Sequence, residues 1–220
     1  MTVEARVLGI GVVDELGLAS STGVRAAWSD LGRRVPGAAR ALQQLFDKRD
    51  ETLRRLDATS RALVFAAEAS GLDAALSEAQ REDTGLVFET RWGSLDADRK
   101  FVRSLDQPMV NGAVFPYTLP SLSLGEIALR HGLRGPTLCL SVDEGQRGVA
   151  WREATAMLST SELEHVLVGS VDVLEDPPPG LPSSCRVSVA LLSSTATGTA
   201  VAPLPDDPAS AFDELVRTIR

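Results

Sequence analysis

The sequence predicts a layered α/β protein built on a five-stranded, mostly parallel mixed sheet. Three observations lead there. Short β-branched apolar runs alternate with longer amphipathic stretches along the chain, the order expected when helices connect strands. Hydrophobic residues make up 44% of the 220 and mean hydropathy is +0.02, ample apolar material for a folded core. Glycine or proline marks many junctions, as at Gly71, Gly132 and the PPPG of 177–180.

Residues 5–13 (ARVLGIGVV) form a buried strand that ends in a turn at 14–17. Ser21 or Thr22 then caps a helix running to Leu31. A second amphipathic stretch covers 37–50, with Ala38, Leu42, Leu45 and Phe46 at helical spacing. The segment 59–76 is rich in good helix formers, and Gly71 breaks or caps it. Residues 85–88 are an apolar strand and 96–105 a charged helix. A loop with three prolines, 108–120, leads to a helix over 121–131 closed by Gly132. Strand 137–142, helix 146–158, strand 165–171 and strand 186–193 follow, separated late by the excursion at 177–182. From 195 onward a loop precedes a short acidic helix, in which Phe212, Leu215, Val216 and Ile219 share one face. That face either docks on the rest of the chain or belongs to a frayed terminal helix.

The formal charge is −8, from 30 acidic and 22 basic residues, which argues against a nucleic-acid partner. Arg33-Arg34 and Arg54-Arg55 sit among acids and read as solvated helix faces. Cys139 and Cys185 are the only cysteines, with no CxxC spacing and no neighbouring histidine. A reducing cytoplasm is expected, with no disulfide framework, no metal and no cofactor. No stretch approaches the roughly 18 apolar residues that span a bilayer, so no membrane association is expected.

Four stretches resemble the N-terminal half of β-ketoacyl synthases: RVLGIGVVDELG, LRRLDATSRALVFAAEAS, FPYTLPSLSLGEIALRHGLRGPTLCLS and ELEHVLVGSVDVLED. Together they span most of 5–175, and GLRGP before an apolar strand is the most specific. The resemblance implies a thiolase-like fold, N-terminal half only, over 1–203, with 204–220 as an acidic helical tail. In that family a strand running into a helix presents a nucleophilic cysteine at the helix start, where the dipole favours negative charge. Counting from Gly135-Pro136, that position falls on Glu144 in SVDEGQRG. Glutamate forms no thioester, and Cys139 lies inside the preceding strand. The family's histidine pair and lysine belong to a C-terminal half that this chain does not reach; His131 and His165 match neither.

A cysteine-less homologue of this kind resembles the chain-length factor of type II polyketide systems, in a short form similar to those of aryl polyene synthesis. The resemblance implies a non-catalytic subunit paired with a full-length ketosynthase, which also supplies the docking face for the acyl carrier protein. Thr137, Leu138, Cys139 and Leu140 then form the dimer strand, and Trp92, Val114 and Phe115 line or block the partner's acyl tunnel. Glu144 has three readings: it accepts backbone N–H bonds at the elbow, assists malonyl decarboxylation, or is simply exposed. Two other functions stay open, a malonyl carrier-protein decarboxylase using Glu144 and a module that binds acyl chains or carrier protein.

Overall fold

A computed structural model describes residues 5–30, 33–47, 51–160, 163–195, 200–202 and 204–220. The helix end expected at Leu31, the end of the second stretch at 48–50 and the domain boundary at Pro203 lie outside them. Among the described residues the strands are β1 (Arg6–Asp14), β2 (Gly17–Ser20), β3 (Arg25–Ala27), β4 (Gly85–Thr90), β5 (Thr137–Ser141), β6 (His165–Leu174) and β7 (Ser184–Ser193). The helices are α1 (Arg40–Phe46), α2 (Ala58–Ala69), α3 (Leu72–Ala75), α4 (Glu78–Glu82), α5 (Leu95–Leu105), α6 (Leu122–His131), α7 (Val149–Ser159) and α8 (Ala211–Ile219).

All seven strands join one sheet in the order β3-β2-β1-β7-β6-β4-β5. The class is as expected, but there are two more strands than the five predicted. One, β2, follows directly on the turn at 14–17, and the other, β3, comes from the segment read as a helix after Ser21. Asp14 Oδ1 accepts the Leu16 N–H at 2.8 Å, Gly17 adopts φ 133°, and the chain returns as β2. Ser20 Oγ then accepts the Val24 N–H and Gly23 takes φ 83°, turning the chain into β3. Of the two hydroxyls that look like helix caps in the sequence, Ser21 Oγ accepts the Ile10 N–H of β1 at 2.9 Å and Thr22 Oγ1 pairs with Ser20 Oγ at 2.7 Å.

Strand direction also departs from expectation. Only β4–β5 and β4–β6 pair in parallel, while β1–β2, β1–β7, β2–β3 and β6–β7 are antiparallel. Residues 175–183 carry no helix and fold β7 straight back along β6, so no crossover makes those strands parallel.

Helices cover both faces of the sheet. Leu86 and Phe88 of β4, with Val187, Val189 and Leu191 of β7, pack under α1, α2 and α6. Val87, Ala190 and Leu192 point the other way, against α7 and α8. This period-2 split within fully buried strands is why they read as continuous apolar runs. On the first face α2 lies almost on β1: a Cβ at Gly9 would stand 2.0 Å from Ser70 O, and one at Gly11 1.9 Å from Ala66 O. The GIG of β1 is therefore a packing requirement.

On the second face Trp151 of α7 meets Phe212 of α8 edge-on, with ring centroids 5.7 Å apart. Leu215 and Ile219 are buried beside them, and Arg220 closes the end with Asp14 at 2.6 Å. Burying three such side chains contributes roughly 1.5–3 kcal/mol each, enough to hold a nine-residue helix in place. Phe212→Ala is expected to lower stability by about 3–5 kcal/mol in urea unfolding, with early proteolysis after α7 and a red-shifted Trp151 emission.

Candidate functional site

The parallel strands β4, β5 and β6 end on the same rim of the sheet, where a cleft of about 780 Å³ opens. One wall comes from the end of β4 and the segment after β5, another from the β1–β2 turn and the start of β7, and α8 closes a third.

The segment after β5 does not run directly into a helix. Glu144–Gln146 form a single 3₁₀ turn, Gly148 takes φ 83°, and α7 begins only at Val149. Asp143 and Gln146 bond each other's backbone reciprocally across that turn. A Cβ at Gly148 would stand 1.9 Å from Pro208 O, so this left-handed residue also admits the tail next to α7.

The anion at the start of α7 is Glu89, the last residue but one of the GLVFET strand. Its residue is 1% exposed, and its two carboxylate oxygens accept the N–H groups of Gly148 and Ala150, each at 3.0 Å. Two charge-assisted bonds and the helix dipole together offset the loss of hydration. Glu144, for which accepting such bonds is one of the three readings, does not make them. Its side chain is 71% exposed and its Oε2 accepts from Arg91 Nη1 at 2.7 Å. Arg91 lies over the Trp92 ring at 4.6 Å, and its backbone N–H donates to Asp172 Oδ1 at 2.8 Å. The exposed pair is worth under about 1 kcal/mol; its effect is to lay Arg91 along the cleft wall.

Of the expected tunnel residues, Trp92 lines the cleft, whereas Val114 and Phe115 lie outside its lining. Phe115 is 58% exposed and leans on Phe101 of α5 with centroids 5.2 Å apart. Thr137, Leu138, Cys139 and Leu140 lie on β5, an edge strand of the sheet. Leu86 N–H donates to Pro136 O and Val142 N–H to Thr90 O. In this parallel ladder the N–H groups of Thr137, Cys139 and Ser141 therefore point to the open edge.

Chemically the cleft is poorly armed. No histidine lines it: His165 starts β6 at the far end of the sheet, and His131 ends α6. Its thiol, Cys185, is pushed up to about 11 by burial, reinforced by the charges of Asp14, Glu175 and Glu15, so it carries almost no thiolate near neutrality. Burial also raises Cys139. Seven acids and four arginines line the cleft, and that balance does not draw in an anion such as a malonyl carboxylate.

Sequence reading missed one cluster. Carboxylate and imidazole atoms of Glu68, Asp73 and His131 lie within 4.8 Å of one another. Guanidinium groups already occupy both acids, Arg130 Nε on Glu68 at 2.6 Å and Arg81 on Asp73 at 2.9 Å. His131 Nδ1 bonds Asp73 at 3.1 Å, and with Arg81 it holds that carboxyl below the usual range. The trio fits an ion-pair network tying α2, α3 and α6 better than a metal site.

No protein-family profile and no curated protein matches the sequence. Solved structures do. The chain is similar to the ishigamide ketosynthase/chain length factor, with TM-score 0.65 and 18% identity over 91% of this chain and 64% of that one. It is similar to a type II polyketide synthase complex, AntDE with the acyl-carrier protein AntF, whose ketosynthase is bound to the hexaketide, with TM-score 0.62, 15% identity and coverage of 88% and 63%. A third likeness is to the ketosynthase ApeO in complex with its chain length factor ApeC from Xenorhabdus doucetiae, with TM-score 0.57, 14% identity and coverage of 91% and 87%. The chain thus spans a little under two thirds of the first two. The fold is the thiolase-like layered α/β fold of ketosynthases and chain-length factors.

Glu89→Gln keeps the shape but removes the charge from one bond to the start of α7 and replaces the other acceptor by an N–H₂ that faces a backbone N–H. It is expected to lower stability by about 1–3 kcal/mol in chemical denaturation, whereas Glu144→Gln, on the exposed turn, leaves the midpoint unchanged.

Proposed function

We propose that the chain is a non-catalytic chain-length factor. It pairs with a full-length ketosynthase and shapes the far end of that partner's acyl tunnel in type II polyketide synthesis, of the polyene-forming kind. The observation that carries this reading is the open edge of β5, whose outward N–H groups at Thr137, Cys139 and Ser141 are placed for a second strand. The shared fold with ketosynthase and chain-length-factor complexes supports it. So does the cleft, which has no histidine and a thiol held far from thiolate. In this reading Phe115, propped by Phe101 and exposed, reaches across the interface toward the partner's tunnel, with Val114 beside it. Trp92 serves the chain's own cleft. The net charge of −8 disfavours direct contact with an acidic carrier protein, so the carrier docks on the ketosynthase.

Co-expression with a ketosynthase encoded beside it is expected to give a stable one-to-one complex on size exclusion. A monodisperse monomer that ignores every such partner would sink the proposal. Cys139→Pro removes one outward N–H and none of the bonds to β4; it is expected to abolish co-elution while circular dichroism stays unchanged. Glu144→Gln is expected to leave product yield of the complex within about twofold, as for an ordinary surface substitution. Complete loss of CO₂ release in that variant would instead assign decarboxylation to Glu144.

A further inference from the structure

A second cavity, of about 530 Å³, lies on the opposite side of Cys185 from the cleft, between α2 and the adjoining ends of β6 and β7. Its volume is within the range of roughly 300–1,000 Å³ typical of small-molecule sites. One face of α2 forms a wall, with Ala58, Arg61, Ala62 and Phe65 at i, i+3, i+4 and i+7. The two alanines make the hollow, because a large apolar side chain at either place would fill it. The aromatic side is rigid. Phe65 meets Trp28 and Phe46 edge-on at 5.7 and 5.3 Å, and Trp28 Nε1 donates to Asp14 O at 2.9 Å. Leu53 and Val173 complete an apolar interior.

Two positive charges sit against this lining without an ion-pair partner among the described residues. Arg61 stands on the same helix face as the alanines, and Arg54 joins it from the turn Thr52–Arg54. Neither makes an ion pair with a described residue. The acid on the lining, Glu175, faces Lys100 at 3.8 Å. An apolar hollow with two unpaired guanidinium groups, fork-shaped donors suited to a carboxylate, selects a molecule with an apolar chain and an anionic head. We propose that this cavity binds a medium-chain carboxylate, its chain between Phe65 and Val173 and its head on Arg54 and Arg61. The site is distinct from the cleft and does not depend on the chain-length-factor reading.

The test is titration of the full chain with sodium decanoate below its micellar concentration, followed by calorimetry and Trp28 emission. Decanol serves as the neutral chain and butyrate as the head with little chain. One decanoate per chain is expected, bound roughly tenfold more tightly than decanol, the worth of one or two charge-assisted bonds. The double variant Arg54→Gln/Arg61→Gln should lose that advantage and leave decanol binding unchanged. Both arginines are exposed, so it tests the site without disturbing the core. Ala62→Trp, which fills the hollow, should abolish both. Equal binding of decanoate and decanol to the unaltered chain, many equivalents per chain, butyrate binding as tightly as decanoate, or full affinity in the arginine variant would each overturn the proposal.

Discussion

The grip of Glu89 on the start of α7 is the interaction on which much of the structure depends. A carboxylate buried in the sheet is unfavourable unless its lone pairs are met, and here two backbone N–H groups meet them. The bond pair sets α7 over β4 at a fixed angle, and α7 in turn presents Trp151 to Phe212. The tail helix, the wall it gives the cleft and the left-handed Gly148 beneath it all follow from where that helix starts. Glu144, only five positions upstream of α7, is outside this chain of dependence, its carboxylate held by Arg91 instead.

Most elements were legible because the local signals agree. The helical period of α2, the αL glycines after α2 and α6, and the apolar runs of β1, β4, β6 and β7 each say one thing. The hairpin of β2 and β3 was not, because Ser21 and Thr22 offer the same hydroxyls whether they cap a helix or bond to β1 and to Ser20. Strand direction was hidden for another reason. The strands legible in the sequence, 165–171 and 186–193, leave a gap long enough for a crossover, and only the pairing shows that β6 and β7 extend into it until a short return at 175–183 joins them.

The site was legible in outline. The sequence places the segment after β5 at the rim, and Trp92 and Glu144 both line the cleft there. What it could not give was the division of labour between two glutamates. One signal for Glu89 was available: a charged residue inside an unbroken buried strand must have a built partner. The arginines of the second cavity carried no such signal, since Arg54 and Arg61 look like ordinary surface charges until the alanines beside them are seen to leave a hollow.

The uncovered edge of β5 also bears on supply. A strand that displays alternate unpaired amides is a template for another strand, so copies with that edge left open would be drawn to one another. The amount of this chain that stays dispersed is then set by how fully that edge is covered.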